Sequence, residues 1–84
     1  MPKYHFQQRT GHRVVEDDEG SDFPDIETAR QYALRAAREL LAESIRWNGK
    51  PPPDCIVVMD GEGRHIMTVL LVEVLPESIK ALIR

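Results

Sequence analysis

Three histidines and one cysteine are the residues best suited to metal binding or nucleophilic chemistry, and they are scattered along the sequence. They are His5, His12, Cys55 and His65. No two of them show a spacing that zinc sites use, such as C-x-x-C or H-x-x-x-H. A nucleophilic Cys55 would need a general base and an oxyanion hole, and no sequence pattern identifies either. We therefore expect no catalytic residue, no metal site and no cofactor, and we predict that the protein is not an enzyme.

The acidic segment from Glu16 to Asp22 is a second candidate, because carboxylates are the ligands that Ca²⁺ prefers. It lacks the EF-hand spacing, which places oxygen ligands at alternate positions and a glutamate at the twelfth. We predict a solvated loop whose negative charges also stabilise the N-terminus of the following helix. Weak cation binding by this loop is the alternative.

Two glycines in Asp60-Gly61-Glu62-Gly63-Arg64 form a G-x-G pattern of the kind found in phosphate-binding loops. Such loops lead into a helix, and here the following residues are β-branched and apolar. The segment is predicted to be a hairpin turn between a strand at Cys55 to Met59 and a longer strand at His65 to Val74.

These segments must be positioned by a long amphipathic helix, predicted from Asp25 to Trp47. Asp25 is the expected N-cap, while Asn48 and Gly49, followed by prolines, end the helix. One face is apolar. It consists of Ile26, Ala29, Ala33, Ala36, Ala37, Leu40, Leu41 and Trp47. Because the middle of this face is mostly alanine, we expect a sheet to approach it closely.

The remaining segments predict the sheet. Met1 to Gln8 alternates apolar and polar residues, with Tyr4 and Phe6 directed inward, and Arg13 to Glu16 is the returning strand of a hairpin. The sequence thus predicts one α+β domain over residues 1–84, with two layers and a ββαββ order. A four-stranded, mainly antiparallel sheet would carry the helix on one face. A short helical segment is expected after Pro76.

The last predicted strand is apolar on both faces, and a single helix covers only one of them. We therefore predict an interaction surface on this strand, covered by the C-terminal segment, a second copy or another protein. Its residues are Ile66, Met67, Val69, Leu70, Leu71 and Val72.

Composition limits the class of protein. The net charge is −3, and no basic cluster is present, so nucleic-acid binding is not expected. No apolar run is long enough to span a bilayer. A lone cysteine fits a reducing compartment, and we expect a cytoplasmic protein.

Several segments resemble a family of small uncharacterised proteins common in alpha-proteobacteria, classed as a domain of unknown function (DUF6894). Met1-Pro2-Lys3-Tyr4-His5-Phe6 is similar to its M-P-x-Y-x-F start, and Phe23-Pro24-Asp25 follows at the matching place. Val58 to Arg64 resembles its V-x-D-x-x-G-R turn. The resemblance spans nearly the whole chain but implies no catalytic residue, since the family has no assigned function.

A weaker similarity is to the partial RNase-H-like antitoxin domains, in which F-P-D-L-x-G precedes an alanine-rich helix. Here Asp25 to Ala29 lacks their glycine–cysteine turn. The leading hypothesis is a non-enzymatic protein–protein interaction module that self-associates or binds another protein. An antitoxin-like or nucleic-acid-associated regulator is the alternative.

Overall fold

A computed structural model describes residues 1–46 and 51–78 of the 84-residue chain. The elements are the strands β1 (Lys3–Thr10), β2 (Arg13–Val15) and β3 (Ser21–Asp22), helix α1 (Ile26–Arg46), strands β4 (Cys55–Asp60) and β5 (His65–Leu70), and a 3₁₀-helix (Leu71–Val74). The predicted α+β class, the long helix and the antiparallel sheet are confirmed. The order has one strand more than ββαββ, because Ser21–Asp22, predicted to be loop, pairs with β1.

The sheet is antiparallel, with the strand order β2-β1-β4-β5. Strand β4 pairs along one edge of β1 from Tyr4 to Arg9. The short strands β2 and β3 therefore share the other edge: β2 pairs with Gln8 to Thr10, and β3 pairs with Lys3 and Tyr4. Strands β1 and β4 thus lie at the centre of the sheet.

Helix α1 begins at the predicted N-cap. An Asp25 carboxylate oxygen accepts the backbone N–H and the hydroxyl of Thr28, each at 2.7 Å, and these bonds lower the pKa of Asp25, with the hydroxyl contributing most. The predicted C-terminal end at Trp47, Asn48 and Gly49 lies outside the described residues.

The alanine face of the helix packs on the sheet as expected. Ala29, Ala33 and Ala37 are 0% exposed. They contact a core formed by one face of the sheet, which includes Ile56 and Val58. Alanine side chains allow this close approach because they occupy little space between the helix backbone and the sheet backbone.

Ile26 was predicted to belong to this buried face, and that prediction is wrong, because the residue is 50% exposed. It lies in the first turn, before the first buried alanine, and borders a surface depression together with Asp60 and Ile66. The apolar spacing thus includes Ile26 at the N-terminal end of α1, although the helix contacts the sheet only further along.

Four aromatic rings form a cluster that extends from the core to the surface, where Tyr32 is 43% exposed. They are Tyr4, Phe6, Phe23 and Tyr32. Phe6 and Tyr32 are the nearest pair, with ring centroids 4.8 Å apart in an edge-to-face arrangement. Phe23 is fixed by its backbone N–H, which donates to the carbonyl oxygen of Pro2 at 3.0 Å. The cluster joins the start of the helix to β1.

The predicted strand from His65 to Val74 is wrong in its second half. β5 ends at Leu70, and Leu71–Val74 is a 3₁₀-helix. Longer pairing would need N–H donors upstream of Cys55, where Pro51 to Pro53 have none. The backbone N–H of Leu71 makes a last bond, to the carbonyl of Asp54 at 3.1 Å. The expected C-terminal helical segment falls mostly on residues 79–84, which lie outside the described residues.

Candidate interaction surface

The predicted interaction surface divides by burial. It comprises Ile66, Met67, Val69, Leu70, Leu71 and Val72. Val69 and Leu71 are 5% and 3% exposed and belong to the core of this chain. Ile66 and Met67 are half-buried against the same core. Leu70 and Val72 remain, 45% and 42% exposed.

This division follows from the early end of β5. The prediction of two apolar faces assumed that side chains alternate as far as Val74, as they do in a strand. In the 3₁₀-helix the chain turns toward α1 instead, and Leu71 and Val74 pack on the core. The exposed remainder, Leu70 and Val72, is smaller than the predicted surface and lies where the strand ends.

Leu70 is the last residue of β5, an outer strand of the sheet. Within the described part of the chain, no strand pairs with the edge of β5 that faces away from β4. Backbone groups along an antiparallel strand point alternately to its two neighbours. The N–H of Leu71 points to Asp54, the residue just before β4. The N–H groups of Val69 and Met67, two and four residues earlier, therefore also point toward β4. The N–H groups of Thr68 and Leu70 therefore point outward.

One of these outward donors has a partner within the chain. A carboxylate oxygen of Glu73 accepts the N–H of Leu70 at 3.3 Å. The side chain of Glu73 thus covers one end of the edge. Thr68, at the middle of the regular part of β5, has no such cover within residues 1–46 and 51–78.

The sheet face opposite the helix is mixed in polarity. Gln7 and Val57 are register partners on this face, 6% and 5% exposed. The Gln7 amide donates to Glu16 at 3.0 Å and accepts from the guanidinium of Arg9 at 2.6 Å. Within the described residues this face has no Phe, Tyr or Trp, since the sheet's aromatic side chains face α1. It therefore lacks the stacking platform that sheet-based RNA-binding proteins use.

Within the described residues, the structure does not bring together the histidines and the cysteine that the sequence offers for metal binding or nucleophilic chemistry. The Nδ1 atom of His5 lies 2.6 Å from the carbonyl oxygen of Asp17 and must carry the proton, because a carbonyl only accepts. His65 bonds the hydroxyl of Thr68 at 2.8 Å, and Cys55 is half-buried. His12 is exposed in the turn after β1. Among residues 1–46 and 51–78, no group of three or more His, Cys, Asp or Glu residues could hold a metal ion.

The acidic loop uses its carboxylates to hold the edge of β1. One Asp17 oxygen accepts the N–H of Phe6 at 3.0 Å, and the other accepts the N–H of Gly20 at 3.2 Å. Glu16 accepts from Gln7, as described above. These bonds give the loop a structural role that the sequence pattern did not predict.

The Asp60 to Arg64 segment is a hairpin turn, as predicted. The Asp60 carboxylate accepts the backbone N–H groups of Glu62 and Arg64 at 2.9 Å and the guanidinium of Arg64 at 2.8 Å. The Arg64 backbone N–H contributes most to lowering the pKa of Asp60, and the guanidinium adds to it. Gly63 supplies the positive φ, 82°, that the turn requires.

Sequence reasoning missed one exposed apolar pair. Val14 and Val15 were assigned to the short second strand, and β2 contains both, yet they are 47% and 56% exposed. The helix packs on β4, β5 and the 3₁₀-helix and leaves this side of the sheet less covered. A depression of about 340 Å³ lies there, bordered by Val15, Leu40 and Pro52. The sequence of the helix does not indicate which strands the helix covers, so the exposure of these valines could not be predicted.

The comparisons with known proteins locate this fold within a family but provide no function. No curated protein and no solved structure matches the chain significantly. No helix in the described part of the chain is long and apolar enough to cross a membrane. A family model described as a domain of unknown function, DUF6894, matches residues 3–72. The match covers β1 through the first half of the 3₁₀-helix, and the chain therefore belongs to the DUF6894 family.

Proposed function

We propose that this chain is a non-enzymatic protein–protein interaction module that self-associates through the end of β5. The observation that supports it best is the exposure of Leu70 and Val72, 45% and 42%, beside a strand edge that no other described segment pairs with. Apolar side chains next to free backbone donors and acceptors form a surface that a further strand can cover.

The polar clusters support the non-enzymatic part of the proposal. The Asp17 carboxylate accepts the backbone N–H groups of Phe6 and Gly20, and the Asp60 carboxylate accepts those of its own turn. The Nδ1–H of His5 is held by a carbonyl. Each group thus has a role in holding the fold. A bacterial cytoplasmic location is part of the proposal, and the single, free Cys55 fits it.

The experiment compares the wild type with two double variants by sedimentation velocity and light scattering. Leu70→Lys with Val72→Lys places charge on the proposed surface. Val14→Lys with Val15→Lys is the matched control, since these valines are at least as exposed and lie at the opposite edge of the sheet. We expect the wild type and the control to associate with a Kd below ~100 μM and the first variant to be monomeric.

A wild type that stays monomeric at ~100 μM overturns self-association, because its Kd would lie well above that concentration. Equal loss of association in both double variants would mean that the added charge, and not the surface near Leu70, caused the effect.

The alternative, an antitoxin-like or nucleic-acid-associated regulator, has less support. The exposed arginines of α1, such as Arg35 and Arg38, are its best structural argument. They belong to a chain of net charge −3, and Arg30 on the same helix is paired with Glu27 at 3.0 Å. Fluorescence anisotropy with labelled duplex DNA at low salt tests it, since non-specific electrostatic binding is strongest there. Absence of binding under those conditions overturns the nucleic-acid-associated form of this alternative.

A further inference from the structure

We infer that the partner at this edge is a second copy of the chain, whose β5 pairs antiparallel with β5 and joins two sheets into one. This inference rests on the proposed function, because it states how the surface near Leu70 and Val72 is used. The two chains are related by a two-fold axis that places Thr68 of one copy opposite Thr68 of the other.

Strand β5 is the edge better suited to pairing. It has six residues, whereas β2, the outer strand on the other side, has three. From His65 to Leu70 it contains neither proline nor a lysine, arginine, aspartate or glutamate, the residues that proteins place on edges to prevent pairing. As far as residues 1–46 and 51–78 are concerned, this edge is therefore open to a further strand.

The backbone directions fix the register. Thr68 offers its N–H and C=O outward, so a two-fold axis beside it allows the two copies to exchange both bonds. Its side chain, like that of Leu70, is on the face opposite α1, since the intervening Val69 belongs to the core. The 3₁₀-helix that follows β5 packs against α1, on the opposite face of the sheet from these two side chains.

The charges at the two ends of β5 favour this antiparallel arrangement. Arg64 precedes the strand and Glu73 follows it. Antiparallel pairing centred on Thr68 brings the Arg64 end of one β5 to the Glu73 end of the other. The Arg64 side chain is 71% exposed, even though it contacts Asp60 and Glu62. A parallel arrangement would instead place Glu73 beside Glu73.

Pairing requires the Glu73 carboxylate to release the N–H of Leu70. In the paired state that N–H is satisfied by the backbone of the second copy, and the carboxylate is free to approach the guanidinium of Arg64 across the interface. The bond that covers the edge in one copy is thereby exchanged for contacts between two copies.

Proline at position 68 tests the backbone pairing. Thr68→Pro removes an N–H that points away from β4, so the sheet of one copy keeps its hydrogen bonds. Thr68→Val is the matched control, because it retains the N–H and the β-branched shape. We expect the control to associate like the wild type and Thr68→Pro to raise the Kd at least ~30-fold, with the helical circular dichroism unchanged.

Association of Thr68→Pro with the wild-type Kd overturns the inference. If Leu70→Lys with Val72→Lys abolishes association while Thr68→Pro does not, the proposed function stands and the strand pairing is wrong. A wild type that is monomeric throughout overturns both.

If Thr68→Pro does not fold, amide hydrogen exchange of the wild type decides. Strand pairing protects the Thr68 N–H more strongly as the concentration rises from ~10 μM to ~1 mM, across the expected Kd range. The inward N–H of Val69, already bonded within one copy, serves as the internal reference. Protection of Thr68 that does not change with concentration overturns the inference.

Discussion

The carboxylate of Asp17 accepts the backbone N–H of Phe6 at 3.0 Å. Phe6 lies on the edge of β1 in the interval between the residues that pair with β2 and those that pair with β3. A side chain from the loop thus takes the place of a missing strand. The same carboxylate bonds Gly20, so that the loop and the strand edge are held by one residue.

Removing this carboxylate should destabilise the fold more than removing its neighbour. Asp17→Ala leaves the N–H of Phe6 without its partner in a partly buried site, and we expect a loss of ~1–3 kcal/mol in the free energy of unfolding. Asp18 is exposed, and Asp18→Ala should change that free energy by less than ~0.5 kcal/mol. Urea denaturation measures both, and equal effects would contradict the structural role of Asp17.

Gly20 and Gly11 form a matched pair for a test of close packing. Both have positive φ, 70° and 57°, so alanine carries a backbone cost of ~1–2 kcal/mol at either position. At Gly20 a Cβ atom would also lie 2.8 Å from His5 Cε1 and 2.9 Å from the carbonyl oxygen of Tyr4. At Gly11 nothing lies within 4 Å.

We therefore expect Gly20→Ala to lower the free energy of unfolding by ~3 kcal/mol or more, and Gly11→Ala by only the backbone cost. Thermal and urea denaturation of the two variants compare them directly. Similar losses would mean that the loop moves away from β1 without penalty.

The lowered pKa of Asp60 predicts that the free energy of unfolding depends on pH in the acidic range. A carboxyl group whose pKa is lower in the folded than in the unfolded chain stabilises the fold above its unfolded pKa, and this contribution is lost as the pH falls through the folded value. The ordinary value is 3.8. Asp60→Asn should therefore be less stable than the wild type at pH 7, and the difference should shrink as the pH falls below the ordinary value.

Urea midpoints across this pH range provide the measurement, with Asp18→Asn as the control for a lost surface charge. Asp25, whose pKa is also lowered, contributes in the same direction and should leave some acid dependence in Asp60→Asn. A difference between Asp60→Asn and the wild type that does not change with pH would contradict the prediction.

The fully buried alanines predict that the helix tolerates no larger side chain against the sheet. Ala33 is 0% exposed, and Ala33→Leu should cost ~1–3 kcal/mol because the helix must move outward. Gln31→Leu adds the same residue to the exposed side and should change the free energy of unfolding by less than ~0.5 kcal/mol. Chemical denaturation distinguishes them, and a neutral Ala33→Leu would show that the contact is loose.

The sequence predicted the elements well where local chemistry determines them. Asp25 marks the start of the helix because only its position and side chain are needed to accept a free N–H. The turn at Asp60 and Gly63 is likewise determined by residues within it. The position of the helix over the sheet depends on tertiary packing. The exposure of Ile26 and Val15 therefore could not be predicted from the spacing of apolar residues in the sequence.

The end of β5 shows how a strand depends on its partner. The apolar alternation from Ile66 continues past Leu70, and the sequence of this segment alone indicates a longer strand. The limit comes from Pro51 to Pro53, which lie before β4 and supply no N–H. For the same reason the predicted surface was too large, since it counted Leu71, which the turn directs into the core.

The central position of β1 and β4 has a consequence for how the chain folds. The two hairpins and the helix each form from residues close in sequence, so they need little loop closure. The pairing of β1 with β4 instead joins segments on either side of α1. We expect this pairing to limit the folding rate, and substitutions at Val58 to slow folding more than those in either turn.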